Sequence, residues 1–235
     1  KIKTDTYINV QGDEPIFDPK DIKKLIKIAT SNKKNDILLG YCEIKKKSDY
    51  FNKNYYLLSN PVLGANGSRE SIAPAIANKI KSQQPIIFLT NGWGGTSIYD
   101  WSHPQSLLTS YVRKNIKDLI KSHYLKYIIW IQGESDNNSD VDYVKEFNLF
   151  RKNLFSGINK KKHEKTKFII TQTSVCNSER DIILNTQQKQ LAEKNKIVVT
   201  NVTDNLDMNY RFDQCHFNKF GTERIAAEIA KKINK

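Results

Sequence analysis

Apolar positions in this chain fall into short dense blocks separated by stretches where they recur at helical spacing. Blocks over 85–90 and 127–131 are apolar almost throughout, as strands buried on both faces should be. Strands are predicted over 6–11, 36–44, 85–90, 126–132, 167–173 and 197–202. Helices are predicted over 19–30, 70–81, 106–122, 141–155, 181–194 and 218–233. The first helix carries Ile22, Leu25, Ile26 and Ile28 on one face, and the second must hold Pro74 in its first turn. Strand and helix in alternation predict an α/β three-layer sandwich around a mostly parallel sheet of about five strands. The register breaks once, in KKKSDYFNKNYY.

The block ending in WIQGESD raises a physical question, because it closes in the polar cluster Gln132-Gly133-Glu134-Ser135-Asp136. Polar groups at the end of a buried strand must be paired or they cost free energy. That end of an open α/β sheet is also where ligands bind. Two other segments fall at predicted strand ends or before helices, NGWGGTSIYDW (91–101) and DQCHFNKFG (213–221). Asp213, three residues before His216, can fold back and hold the imidazole in one tautomer, as the acid of a Ser-His-Asp system does; as a bare pattern it more often marks a surface turn. Gln132 offers an amide donor for an oxyanion, or a loop cap. Gly94 and Gly95 allow backbone N–H groups to approach a ligand, or simply make a tight turn. Glu134 and Asp136 are a candidate base pair or the orienting groups of their own loop.

Composition narrows the partners. The 235 residues carry a formal charge of +13, nearly all from scattered Lys, with six Arg. Base and phosphate readers favour Arg, so nucleic acid is not the expected partner. No apolar run reaches the roughly 20 residues that span a bilayer, and Lys1-Ile2-Lys3 opens no secretory signal. Cys42, Cys176 and Cys215 show no paired spacing, so neither a zinc site nor a disulfide framework is expected, and a reduced, cytoplasmic protein is the default.

Taken together, GANGSRESIAPAIA, NGWGGTSIYDW, IIWIQGESD and DQCHFNKFG resemble the sialate O-acetylesterase-like carbohydrate esterases of the SGNH hydrolase superfamily, from about residue 58 to the C-terminus. The resemblance implies an SGNH/flavodoxin-like sheet and a serine-ester hydrolase of acylated sugars or polysaccharide precursors, without a cofactor. It implies Asp213 and His216 as triad acid and base. Gln132 would be an oxyanion donor, with Gly64 or the Gly94-Gly95 turn as a second donor and Glu134 beside the substrate.

The serine of that family stands in a Gly-x-Ser motif after the first strand. Here the first strand leads into NVQGDEP, which resembles instead a fragment of 3-deoxy-manno-octulosonate cytidylyltransferase over about 7–52. That resemblance would make Asp13 a magnesium ligand, but the nucleotide-binding loop expected before the strand is missing. The chain therefore divides into a cytidylyltransferase-like segment over 1–56, packed into the same sheet, and an esterase-like domain over 57–235. Asp13 or Glu14 is expected where the serine should be. Ser59, followed by Asn60, is the alternative nucleophile; Ser71, Ser97 and Ser135 fit structural hydrogen bonds. Three readings stand: an O-acyl esterase impaired at its nucleophile, an inactive carbohydrate- or partner-binding module, and a fragment of a sugar-nucleotide enzyme. All point by analogy to bacterial surface-polysaccharide metabolism.

Overall fold

A computed structural model describes residues 5–11, 38–40, 55–58, 62, 71–82, 85–177, 179–194 and 197–235. Its strands are β1 (Asp5–Gln11), β2 (Leu38–Gly40), β3 (Tyr55–Leu57), β4 (Ile86–Asn91), β5 (Tyr124–Ile131), β6 (Lys167–Gln172) and β7 (Ile197–Val202). They form one sheet in the order β3-β2-β4-β1-β5-β6-β7. All neighbours are parallel except β2 and β3, which are antiparallel. The described sheet thus has seven strands rather than about five. The one strand outside the predicted set, β3, is a three-residue edge strand at the end of the segment where the hydrophobic period breaks, and it is too short to show a period of its own.

The helices are α1 (Ile72–Ala77), α2 (Ile98–Ser102), α3 (Leu107–Leu119), α4 (Tyr143–Leu154), α5 (Ile182–Lys194) and α6 (Lys219–Ile233). Pro74 occupies the third position of α1, where its missing N–H removes no helical bond. The helix expected over 19–30 lies outside the described residues. Short α2 was hidden in a Gly- and Thr-rich segment; its start carries a capping box in which Ser97 and Asp100 each bind the other's backbone N–H. Asn218 caps α6 by accepting from the N–H groups of Phe220 and Gly221 at 2.9 and 3.1 Å.

Strand residues alternate between two cores, because successive side chains leave opposite faces. Ile87, Leu89, Ile128, Trp130, Phe168 and Ile170 face α2–α5, where they meet Trp101, Phe147 and Phe150. Ile86, Phe88, Ile129, Ile131 and Ile169 face α1 and α6, where they meet Ile76, Ile225 and Ile229. Both faces of the sheet are therefore covered, as in a three-layer sandwich.

The register brings the strand ends together. Val10 lies beside Asn91, and Gln11 beside Ile131. The chain leaves β1 at the same edge where β4 gives way to the Gly94-Gly95 turn and β5 to Gln132.

Trp130 is the centre of the larger core. It is fully buried, with its ring 4.3 Å from Phe150 and 5.3 Å from Trp101, and its Nε1–H donates to the Tyr143 hydroxyl at 2.9 Å. Trp130→Ala is expected to lower stability by about 3–5 kcal/mol, the usual range for a buried aromatic, as read from urea unfolding midpoints.

Candidate active site

At the end of β5 the chain turns through Gln132 and Gly133 into a single 3-10 turn, Glu134–Asp136. Asp136 is 2% exposed. Its carboxylate accepts from the Ile98 N–H at the start of α2, at 2.9 and 3.1 Å to its two oxygens, and from the Gln132 amide. Burial pushes the Asp136 carboxyl upward, and the bonds from Gln132 and Ile98 work against that shift. The second hydrogen of the Gln132 amide goes to the Thr96 carbonyl at 3.1 Å, and its carbonyl oxygen accepts from Tyr143 at 2.9 Å. Gln132 therefore fastens the Gly94–Ile98 turn to β5. Donation by Gln132 to an oxyanion requires breaking one of these bonds.

Gly133 sits where a side chain would collide: a Cβ there would lie 2.0 Å from the Thr173 carbonyl oxygen. This close approach packs the β5 end against the segment leaving β6. Gln188 of α5 closes the gap, donating to the carbonyls of Thr173 and Gln132 at 3.0 and 3.2 Å and accepting from the Thr173 N–H at 2.9 Å. Glu134 accepts from the Thr173 hydroxyl at 3.1 Å. Desolvation is the main force raising its carboxyl above the ordinary range, and Asp204 adds to it. Asp204 in turn holds the loop after β6, accepting from the N–H groups of Ser174 and Val175 at 2.9 and 3.0 Å.

The segment before α6 closes on itself. Arg211 and Phe217 form a backbone bridge, and the Phe212 N–H donates to the His216 carbonyl at 3.1 Å. The buried Arg211 guanidinium donates to the Cys215 carbonyl and covers the Phe217 ring at 4.2 Å. Within this loop Asp213 folds back. One carboxylate oxygen accepts from the N–H groups of Cys215 and His216 at 2.7 and 2.6 Å, and the other meets His216 Nδ1 at 2.9 Å. Burial alone would raise the Asp213 carboxyl, but the two backbone N–H bonds and the imidazole together hold it below its ordinary value. An ionised carboxylate only accepts, so Nδ1 carries the proton and Nε2 is the basic nitrogen. Phe212 stacks on the imidazole, with ring centres 5.4 Å apart and planes within 8°.

Cys176 and Cys215 are joined by a disulfide, so the expectation of unpaired cysteines does not hold for this pair. Their separation of 39 positions carries no spacing signal; the bond brings together the loop after β6 and the loop before α6. It anchors the residue next to His216 to the loop that Asp204 and Glu134 hold.

Of the other residues singled out in the sequence, Gly94 is partly exposed, and Gly95 is exposed in the left-handed region at φ +68° with open space around it. Ser71 caps α1, Ser97 caps α2, and Ser135 is exposed in the 3-10 turn. Asp13, Glu14, Ser59 and Gly64 lie outside the described residues. Sequence reasoning missed Arg211, Asp204, Gln188 and the cysteine pair; only the adjacency of Cys215 to His216 offered a signal.

A family model for carbohydrate esterases, the sialic acid-specific acetylesterases, matches residues 59–235. Among solved structures, a protein from Arabidopsis thaliana is similar in fold, with TM-score 0.68 and 17% identity over 99% of this chain and 98% of that one. A carbohydrate acetylesterase from Xanthomonas citri has TM-score 0.53 and 10% identity, covering 97% of this chain and 54% of that one. An acetylxylan esterase from Geobacillus stearothermophilus has TM-score 0.51 and 11% identity over 99% and 94%. No curated protein matches the chain. None of these likenesses supports the cytidylyltransferase resemblance of 7–52.

Cys176→Ser should lower stability by about 2–4 kcal/mol, the usual effect of losing a native disulfide. Urea unfolding with and without dithiothreitol checks this: reductant should shift the parent's midpoint and leave that of the variant unchanged.

Proposed function

The chain belongs to the sialic acid-specific acetylesterase family of carbohydrate esterases, and we propose that its site acts on O-acetyl esters of sugars through Asp213 and His216. The observation that carries this is the 2.9 Å contact between Asp213 and His216 Nδ1, in a loop fixed by Arg211 and the disulfide. Asp213 orients the imidazole and stabilises its protonated form. His216 Nε2 takes the proton from an attacking hydroxyl as that oxygen bonds to the acyl carbon. It returns the proton to the sugar oxygen as the ester C–O bond breaks. Backbone N–H groups at Gly64 and the Gly94-Gly95 turn are the proposed oxyanion donors. Gln132 serves chiefly to hold that turn, and Glu134 the loop beyond it.

The attacking hydroxyl is the weak element. β1 ends beside β4 and β5, and in the sequence Gly12-Asp13-Glu14 stands next, where the family's Gly-x-Ser would be expected. A carboxylate there cannot form the usual acyl-enzyme, and turnover should be low. That same substitution supports a second reading, in which the site binds acetylated sugar without cleaving it.

Hydrolysis of p-nitrophenyl acetate, with a serine-directed phosphonate to trap the nucleophile, tests the assignment. The parent chain should turn over near background. Glu14→Ser should raise the rate by about tenfold or more, and adding His216→Ala should remove the gain, since positioned acid–base catalysis contributes roughly 10²–10⁴-fold. High parent activity abolished by Ser59→Ala would identify Ser59 as the nucleophile. High parent activity that survives Ser59→Ala and Ser71→Ala would refute the assignment of the attacking group.

The dyad also has a pH signature. The Asp213 carboxyl is depressed in the folded chain relative to its ordinary 3.8, so its stabilising contribution is present above that value and is lost as pH falls through the lower folded value. Asp213→Asn should remove this proton-linked step from unfolding free energies measured between about pH 5 and 2, the range in which such carboxylates titrate.

A further inference from the structure

Arg113, Arg180 and Arg211 each donate to a protein oxygen, although Nη2 of Arg211 is itself buried without a hydrogen-bond partner. Arg151, on the last turn of α4, differs. Its guanidinium lies 5.0 Å above the Phe168 ring, and its Nε is buried without a hydrogen-bond partner. Burial holds its pKa below that of an ordinary arginine. Arg151 is half-buried, so its outer nitrogens face a cleft, and an anion there would give the guanidinium the oxygen acceptors the protein does not.

Arg151 opens into a cleft of about 1060 Å³ between the end of α4 and the start of β6. Lys152, Lys160 and Lys165 also line it, against a single acid, Glu164. Its wall includes Phe155 and His163, stacked with ring centres 4.1 Å apart and planes within 4°. Desolvation is the first cause holding the His163 imidazole below its ordinary value, and the charges of Arg151 and Lys160 add to it, while Glu164 and the Ile158 backbone oppose. With Arg151, Lys152, Lys160 and Lys165 against Glu164, the lining carries a net positive charge. The cleft lies at the start of β6, and the dyad loop is tied by the disulfide to the segment after the end of that strand. The two sites are at opposite edges of the sheet.

We propose that this cleft is a second binding site, for an acidic saccharide whose carboxylate or phosphate oxygens pair with Arg151 while a sugar ring lies against Phe155 and His163. Arginine presents a planar fork to such oxyanions, and an open row of lysines suits a ligand with more than one charge. The oxyanion half of the assignment rests on the cleft alone; the saccharide half rests on the proposed esterase reading.

Calorimetric titration with a uronic-acid trisaccharide, glucose 1-phosphate and a neutral glucose trisaccharide tests it. The two anions should bind saturably and the neutral sugar should not; the tighter of the two identifies carboxylate or phosphate as the natural group. Arg151→Ala should weaken binding by about tenfold, the scale of one charge-assisted contact, with Arg151→Lys intermediate. Removing the same charge elsewhere, by Lys231→Ala, should change affinity less than about twofold, as screening between distant surface charges requires. In NMR titrations of the parent chain, saturation with the anion should raise the His163 pKa. His216→Ala should leave binding intact, so failure of the esterase reading and failure of this one are separately visible. Absence of saturable anion binding, equal losses from Arg151→Ala and Lys231→Ala, or no response at His163 would overturn the site. Tighter binding of a single-stranded oligonucleotide than of either acidic sugar would overturn the saccharide class.

Discussion

A parallel sheet covered on both faces leaves its polar groups few places to go, and here they gather where the strands end. The insertion of β1 between β4 and β5 decides which ends meet. With Gln11 beside Ile131 and Val10 beside Asn91, three consecutive strands of the sheet deliver their outgoing chain to one edge. Asp136 then links two of those exits, accepting from both Ile98 and Gln132. The Gly94-Gly95 turn, the β5 end and the loop after β6 are joined by a chain of hydrogen bonds through Gln132 and Gln188.

The dyad depends on this arrangement only indirectly. Asp213 and His216 find each other within a four-residue loop, which is why their pairing was legible in the sequence. The location of that loop is a tertiary matter. It is set by the disulfide from Cys215 to Cys176 and by Arg211, which reaches both Cys215 and the ring of Phe217. Local chemistry thus supplies the Asp213–His216 contact, and long-range contacts decide what it faces.

The same division separates what could be read in the chain from what could not. Apolar blocks such as 127–131 gave the strands because burial on both faces leaves a continuous run. The helices predicted to begin at Ser106 and Asn218 do begin there, and both residues prove to be N-caps. The edge strand Tyr55–Leu57 has too few residues to show a period. Gln132 looked like a donor awaiting a ligand, because its partners Thr96 and Tyr143 are 36 and 11 residues away and each belongs to another element. The cysteine pair was hidden for the same reason: its closeness is a product of topology, with no trace in spacing.

The smaller core carries a consequence for how the chain is made. The face of the sheet bearing Phe88, Ile129 and Ile169 is covered by α1 and α6, and Lys79, just after α1, pairs with Glu223 of α6, 144 residues away in sequence. During synthesis from the N-terminus, β4, β5 and β6 emerge long before α6 can close over them. Until it does, an apolar sheet face stands open to other chains. Nascent chains stalled before α6 should therefore be strong clients for chaperones that hold exposed apolar surface.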